Sequence, residues 1–482
     1  MTRGQHAWSW WLLFFILLYF SESIRGFIDQ VREDHNLSVQ GEQIDDAPPE
    51  LNVALGMGVF RSVIIDFLWM RASKLQREKR FYEIVQLYDL IGKLQPYNAK
   101  VWAYSAWNMS YNISVSFPPG EERWRWVQNG LERLTGPGLR YNPENLAIYK
   151  EIAWIFTHKI GGNTDDSHLL YKTKICEWVQ DIAGSDQLSA KQVIADYESN
   201  DPVRKERAIE IEKRLFYELG LELGFMAKLE DHPLLGPLDW RNPKTLAIYW
   251  AQRGLLLGNY GSRSVDLQRL TYQAQQHMLR QGTTVYLPSS KEAPSGVVVW
   301  PDYRHAKPIH RYFQHQLKVF KKEKAVDTGV KSAYRHFMVE AVRILILSGQ
   351  EKLAETIFQE AKISLPENFT ENSARHLMNL TIDEQITSLG PEQFSAMVSS
   401  TLMRHYWWLA QGDSKRSQSL LVHSTQIWNK SMEKNSTQLR KINRSFKELK
   451  ESVLKDIINR KLFHPVMIAK LKAVLDIKTD EK

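Results

Sequence analysis

The sequence contains a single cysteine, Cys176, among 482 residues. One thiol cannot close an intramolecular disulfide, supply a cysteine-rich zinc site or form a CxxC redox pair, so these three classes of function are excluded. Glycine and proline are also scarce, with 25 and 18 residues, far below the share that marks low-complexity sequence. Because 43% of the residues are hydrophobic, the chain can bury a sizeable core.

The common catalytic signatures are missing as well. No GxxxxGK[ST], HExxH, GxSxG or GxGxxG segment occurs in its proper context. Nucleotide hydrolysis, zinc proteolysis, serine hydrolysis and dinucleotide binding therefore lack their usual evidence. We expect no cofactor, and the sequence favours a protein that is not an enzyme.

Long hydrophobic runs are absent except at the amino end. Every residue of 7–20 except Ser9 is apolar, and the uncharged stretch 4–21 would span about 27 Å as a helix. We expect residues 1–24 to form an uncleaved signal anchor, with a cleaved secretory signal or a buried helix as alternatives. The chain is then a single-pass membrane protein, with its bulk outside the cytoplasm, in the periplasm if it is bacterial. The polar segment 25–55 is predicted to be a linker.

The net charge of +8 lies mostly in residues 427–482. Apolar residues recur every three or four positions from Leu439 to Val453, which predicts an amphipathic helix. The basic residues proposed to contact a partner protein or anionic lipid are Arg440, Lys441, Arg444 and Lys447. The alternative is an outer helix that closes the helical body. We expect no nucleic-acid partner, because no known reader motif accompanies the charge.

One octapeptide occurs twice. The segment NPENLAIY at 142–149 recurs as NPKTLAIY at 242–249, and the skeleton Pro-x-Asn appears again at 96–98 and 366–368. At each site proline is predicted to end one helix, and the Asn or Thr two residues later to cap the next. The predicted junction residues are Pro96, Asn98, Pro143, Asn145, Pro243, Thr245, Pro366 and Asn368.

The segment 335–366 has a more specific pattern. Its marked positions are Gly349, Ala354, Phe358, Ala361 and Pro366. The alanines let two helices approach closely, Phe358 fills the space between them, and Gly349 permits a tight turn. This pattern is similar to the second half of a tetratricopeptide repeat, with three degenerate units elsewhere. The resemblance implies a mainly α-helical solenoid whose groove holds a peptide or another protein, with no chemistry of its own.

Helical periodicity predicts buried faces without reference to any family. The segment 59–76 places Phe60, Ile64, Phe67 and Met70 on one side of a helix. Two further stripes comprise Ile84, Leu87, Leu90 and Leu94, and then Trp102, Ala106, Met109 and Ile113. We expect all three faces to be buried.

The helical pattern is interrupted once, at 281–309. Its prolines, Pro308 included, are predicted to break any helix, and the run VVVW at 297–300 favours a strand. A loop or β-ribbon is expected to project there from the helical body. The predicted order is the anchor 1–24, the linker 25–55, degenerate helical repeats 56–260, a loop-rich insertion with a basic helix 261–330, a tetratricopeptide-like repeat 331–370 and carboxyl-terminal helices with the basic tail 371–482.

Two sets of side chains are candidates for binding. The residues around the glycine turn of 158–168 that could form a metal or acid–base site are His158, Asp165, Asp166 and His168. The favoured interpretation is that Thr164 and the two aspartates cap the following helix. Adjacent Trp407 and Trp408 cannot share one helical face, so at least one is predicted to be exposed or to contact a partner protein or a membrane.

The sequence therefore favours a non-enzymatic, membrane-anchored scaffold that mediates protein–protein interaction in cell-envelope assembly or transport. Its expected partners are other envelope or membrane proteins, bound through the solenoid groove or the basic tail. The alternative is an envelope enzyme or glycan-binding module that uses 158–168 together with 281–310. A deep polar pocket joining those two segments would favour the alternative.

Overall fold

The computed structural model describes residues 60–257, 262–323, 328–434 and 445–477, together with Ile24 and residues 49–50. The predicted anchor and linker therefore lie almost entirely outside the described residues. The chain divides into two units, Met1–Val101 and Trp102–Lys482. None of the described helices combines the length and the apolar character that a membrane span requires.

The first unit contains α1 (Phe60–Arg77) and α2 (Phe81–Leu94), which pack against each other. The face of α1 predicted to be buried is exposed: Ile64, Phe67 and Met70 are 36%, 57% and 63% accessible. The side chain of Phe60 lies outside the described residues. The buried residues of α1 are Ile65, Leu68, Ala72 and Leu75. Two stripes of apolar residues on α1 have helical spacing. Packing against α2 buries the stripe that begins at Ile65 and leaves the predicted stripe exposed.

The prediction that the second stripe is buried is correct in part, because Ile84 and Leu94 of α2 are buried whereas Leu90 is exposed. The third stripe begins on α3 (Ala99–Trp107), which spans the boundary between the units. All four of its residues, from Trp102 to Ile113, are buried as predicted.

The second unit is mainly α-helical, as predicted. Its further helices are α4 Glu121–Arg133, α5 Leu139–Tyr141, α6 Leu146–Trp154, α7 His168–Ala183, α8 Ala190–Tyr197, α9 Pro202–Leu219, α10 Leu223–Glu230, α11 Pro243–Leu255, α12 Ser262–Gln281, α13 Ala306–Glu323, α14 Thr328–Leu347, α15 Glu351–Ser364, α16 Ala374–Ser388, α17 Pro391–Ala410, α18 Ser414–Lys434, α19 Phe446–Asn459 and α20 Pro465–Val474. Short 3₁₀ turns lie at Ser114–Ser116, Tyr303–His305 and Pro366–Asn368. π-Helical segments lie at Asn108–Ile113, Leu134–Gly138 and Ile155–Ile160.

The two copies of the octapeptide start their helices at different positions. Asn145 caps α6 as predicted, accepting a hydrogen bond from the Ala147 amide at 3.1 Å. In the second copy Asn242 caps α11 through the Lys244 amide at 2.9 Å, and Thr245 is buried inside the helix. The prediction for Thr245 is therefore wrong, and asparagine's stronger capping preference accounts for the difference. The two helices, α6 and α11, pack against each other.

The other two junctions also differ. Asn98 caps α3 as predicted, with its side chain accepting from the Lys100 amide at 3.3 Å. Asn368 does not cap a helix, because Pro366–Asn368 form a 3₁₀ turn and α16 begins only at Ala374. The cap of α16 is Ser373, whose hydroxyl accepts a hydrogen bond from the His376 amide at 3.1 Å.

A two-stranded ribbon interrupts the helices, as predicted. Strands β1 (Thr283–Leu287) and β2 (Gly296–Trp300) are antiparallel, with Val285 opposite Val298. The ribbon does not project, because Leu287 and Val297 are buried and the strand β2 packs against α7. Pro308 does not break α13, since it lies in the first helical turn, where a missing amide donor is tolerated. Residues 262–281 and 306–323 are helical, so within the described part of 261–330 the residues outside helices longer than one turn are 282–305.

The segment 335–366 lies in α14, α15 and the turn that joins them. Gly349 has φ +71° and ends α14: its amide donates to the Ile346 carbonyl at 2.9 Å, and the Gln350 amide donates to the Leu345 carbonyl at 2.8 Å. This is a Schellman motif. Ala354, Phe358 and Ala361 are fully buried, so the helices approach at the small residues, and Pro366 opens a 3₁₀ turn after α15.

The carboxyl-terminal helices surround α17. It packs against α18, α19 and α20, so Trp407 and Trp408 are both buried, at 3% and 8% accessible. The prediction that one of them is exposed is wrong, because neighbours cover more than one face of α17. Residues Arg440, Lys441 and Arg444 lie outside the described residues.

The described part of the tail forms α19. Leu449, Val453 and Ile457 are buried on the helix that packs against α17, and Lys447 is exposed. The Ser445 hydroxyl accepts from the Glu448 amide at 3.2 Å, and the Glu448 carboxylate accepts from the Ser445 amide at 2.6 Å. This capping box fixes the start of α19.

Candidate functional site

Two π-helical segments meet in the second unit. Asn108–Ile113 continues α3, Ile155–Ile160 continues α6, and the two segments contact each other. A π turn holds more backbone than an α turn, and such turns occur frequently at functional sites. Here they bring Tyr111 together with His158 and Lys159.

A cavity of about 320 Å³ lies at this meeting point. It is lined by Tyr111, Val115, Arg123, His158, Lys159, Thr164, Asp165 and Asp166. Three of the four candidate metal-binding residues therefore face one space, and His168 is the exception. The cavity carries cationic and anionic groups next to an aromatic ring.

Asp165 lies in a buried ion triad. Its Oδ1 accepts hydrogen bonds from Arg123 at 3.1 Å and from the Ser167 amide at 2.8 Å, and its Oδ2 accepts from Lys159 at 2.5 Å. Burial by itself raises the pKa of Asp165, but the hydrogen bonds from Lys159, Ser167 and Arg123 outweigh it and hold the pKa below its ordinary value. Two cations thus occupy both oxygens that a metal ion would need.

The other three candidates do not form a ligand set with Asp165, although two of them line the same cavity. His158 stacks on the Trp154 ring at 4.8 Å, Asp166 is exposed, and the Nδ1 of His168 lies 3.0 Å from the Lys172 ammonium. Within the part of the chain that the structure describes, no group of three His, Cys, Asp or Glu side chains could hold a metal ion. The 158–168 segment brings polar groups together without forming a ligand set.

The favoured prediction, a capped turn, is partly correct. The Asp165 side chain accepts from the Ser167 amide, and its carbonyl accepts from the His168 amide at 3.0 Å. Ser167 occupies the cap position of α7 without a side-chain hydrogen bond. Asp165 therefore closes the turn just before α7. Its carboxylate is held in place by the ion pairs with Arg123 and Lys159.

Sequence reasoning missed two buried lysines beside the cavity. Lys244 on α11 is 3% accessible and donates to the Thr157 carbonyl at 2.5 Å; burial, followed by the charge of Lys172, lowers its pKa to about 7. Lys172 on α7 donates to the Gly162 carbonyl, and burial lowers its pKa to about 8. Lysine inside an apolar helical run, as at Lys172, is the only signal that the sequence offers.

The glycine pair of this segment has a packing role. A Cβ on Gly161 would lie 2.9 Å from the Cε of Lys244, and a Cβ on Gly162 would lie 2.2 Å from the His158 carbonyl oxygen. The missing side chains leave space for the lysine and for the tight return of the backbone. The turn is therefore part of the core of the second unit.

The β-ribbon and the cavity both involve α7, but at different positions. Tyr286 and Ser295 donate hydrogen bonds to Glu177 of α7 at 3.2 and 2.6 Å. Glu177 is nine residues beyond His168, about 14 Å along a helix. Among the described residues that line the cavity, none belongs to 281–310. The two segments thus share a supporting helix without sharing a pocket.

No protein-family model matches the chain, and neither a curated protein nor a solved structure matches it.

Proposed function

We propose that this chain is a non-enzymatic, membrane-anchored helical-repeat scaffold that mediates protein–protein interaction in cell-envelope assembly or transport. In this proposal residues 7–20 anchor it, and the bulk of the chain lies outside the cytoplasm. The α14–α15 pair and its Schellman turn are consistent with a tetratricopeptide-like unit of the solenoid. The solenoid groove and the basic tail remain proposed contact surfaces.

A single observation carries the proposal: α1 exposes a stripe of large apolar side chains. Val63, Phe67 and Met70 are 64%, 57% and 63% accessible, and they recur at i, i+4 and i+7. Burying a side chain of this size contributes about 1.5–3 kcal/mol, so a partner gains free energy by covering the stripe. A contiguous exposed apolar patch is typical of an interaction site.

The spacing of the stripe favours a helical partner. Apolar residues four and three apart form the seam on which a second helix packs. Further along the same face, Arg71 and Lys74 are exposed, and Lys74 forms a 3.8 Å ion pair with Glu78. The occupant that we propose is therefore a helix of another membrane protein, with an apolar seam and an acidic end.

A photo-crosslinking amino acid at Phe67 of the full chain in native membranes tests this proposal. We expect one protein adduct that is lost when Met70→Asp is added, because a carboxylate in the seam prevents apolar packing. The matched control is the same crosslinker at Gln86, an exposed polar position on α2, which should give no such adduct. Adducts confined to lipid or to this chain itself would contradict the proposal.

The alternative, an envelope enzyme or glycan-binding module, has less support. A polar pocket that joins 158–168 to 281–310 would favour it, whereas the lining of the cavity includes residues of 158–168 and none of 281–310. The carboxylate most deeply placed in that lining, Asp165, already binds Arg123 and Lys159. We therefore favour the scaffold.

A further inference from the structure

The helix α13 carries basic side chains along one side. Lys307, Arg311, His315 and Lys318 are all exposed. They lie at positions i, i+4, i+8 and i+11, so they follow one another along one face of the helix over a length of about 17 Å. We call these four residues the basic stripe.

The opposite side of α13 keeps the basic stripe at the surface. Ile309 and Phe313 are buried, and α13 packs against α14 and α15. The ring of Phe313 stacks on Tyr334 of α14, with 4.8 Å between the ring centroids. Because the apolar side of α13 belongs to the protein core, this helix cannot also insert that side into a bilayer while the protein stays folded.

The cations of the basic stripe are not neutralised by the protein. Among the residues that the structure describes, Lys307, Arg311 and Lys318 have no ion pair and no side-chain hydrogen bond. The Glu360 carboxylate of α15 lies 2.8 Å from the Nε2 of His310, which is on α13 but outside the basic stripe. The whole of α13 contains five Lys or Arg residues and one carboxylate. Such an excess of one sign attracts counter-charge from outside the protein.

The composition of the basic stripe favours an anionic lipid surface over a protein partner. Protein interfaces enclose an apolar core and are depleted in lysine, whereas the basic stripe contains no apolar residue. Two of its three Lys and Arg residues, Lys307 and Lys318, are lysines. The lysine ammonium is a point charge on a flexible stem and binds without a fixed geometry. A surface of mobile phosphate headgroups suits such charges, because it presents anions at many positions.

We propose that the basic stripe binds the headgroups of anionic phospholipids at the surface of the membrane. The proposal rests on the proposed anchor, residues 7–20, in one respect: the anchor holds the chain near lipid and so raises the effective concentration of headgroups. Since α13 does not insert, the contact is electrostatic, as it is for polybasic segments beside a membrane. It should weaken as salt is added, because exposed charges are screened within about 8 Å at physiological ionic strength.

The test reconstitutes the full chain into liposomes and measures energy transfer from a fluorophore on α13 to labelled lipid. Gln314→Cys, between Arg311 and Lys318, supplies the attachment site, since the native Cys176 is fully buried. Liposomes of phosphatidylcholine are compared with liposomes that also contain phosphatidylglycerol. We expect more energy transfer with phosphatidylglycerol, and we expect this difference to be lost at high sodium chloride concentration.

Charge reversal in the basic stripe should remove the same difference. Arg311→Glu combined with Lys318→Glu replaces two exposed, unpaired cations, so the melting temperature should stay close to that of the wild type. The matched control is Lys205→Glu combined with Lys213→Glu, which makes the same charge change at two exposed positions of α9. The control should keep the dependence of energy transfer on phosphatidylglycerol.

Three results would overturn the proposal: equal energy transfer with the two lipid mixtures, no effect of the α13 reversal, or an equal loss in the α9 control. Equal transfer, together with a protein adduct from a photo-crosslinking amino acid at Gln314 in native membranes, would assign the basic stripe to an acidic protein instead. Failure of the anchor is visible separately, because the full chain would then not float with liposomes of phosphatidylcholine alone. In that case flotation that requires phosphatidylglycerol, and that the α13 reversal abolishes, would still support the basic stripe.

Discussion

At the scale of single residues, Asp165 is the carboxylate that neutralises two buried cations, Arg123 and Lys159. Asp165→Asn would leave Arg123 and Lys159 buried beside a neutral amide, and breaking a buried ion pair in this way costs about 3–5 kcal/mol. We expect the free energy of unfolding, measured by urea denaturation, to fall by that amount. Asp166→Asn, at the adjacent exposed residue, should stay within about 0.5 kcal/mol of the wild type. Equal stabilities of the two variants would show that the triad contributes nothing.

Lys244 makes stability depend on pH. Its pKa is about 7 in the folded chain, mainly because of burial, against about 10.4 for an unfolded lysine. Between these values the unfolded chain binds a proton that the folded chain does not, so stability rises with pH by up to about 1.4 kcal/mol per pH unit. The gain is lost as the pH falls towards 7.

We therefore expect Lys244→Met to have a flatter dependence of unfolding free energy on pH between 7.5 and 9.5 than the wild type. Some slope will remain, because Lys172 has a pKa of about 8 and acts in the same direction. Lys352→Met, at an exposed position, is the control and should follow the wild type. Parallel curves for all three proteins would contradict the buried, neutral state of Lys244.

At the scale of elements, the contact between α14 and α15 depends on small side chains. Ala354 is fully buried, so Ala354→Leu should overpack the helix pair and destabilise the protein by about 1–3 kcal/mol. Lys352→Leu, on the exposed side of the same helix, should be nearly neutral. Melting temperatures measured by calorimetry distinguish the two variants, and equal values would refute the close helix approach.

Elements were predicted well where local chemistry decides them. Asn98 and Asn145 cap helices because their side chains bond the nearby backbone, and the β-ribbon forms where valines lie between prolines. Prediction failed where a choice depends on distant packing. The apolar stripes of α1 look equivalent in sequence, and packing against α2 decides between them.

At the scale of the whole molecule, the helical class could be predicted, and so could the buried stripe from Trp102 to Ile113, but other parts of the interior of the second unit could not. Trp407 and Trp408 are both buried because α18, α19 and α20 all pack against α17, which periodicity along one helix does not reveal. The hydrogen bond from Lys244 to the Thr157 carbonyl joins residues that are 87 apart in sequence. The sequence favours a capped turn at 158–168 over a metal or acid–base site, but it does not reveal that Arg123 of another helix binds Asp165 of that turn.

The two π turns that wall the cavity have a consequence for how such a site can arise. Each of Asn108–Ile113 and Ile155–Ile160 holds about one residue more than an α turn would. One extra residue rotates everything beyond it by about 100° around the helix axis. In evolutionary terms, insertion of a single codon into an ordinary helix creates such a turn and deletion removes it. The walls of this cavity are therefore a feature that a lineage can gain or lose in one genetic step, with the hydrophobic core around them retained.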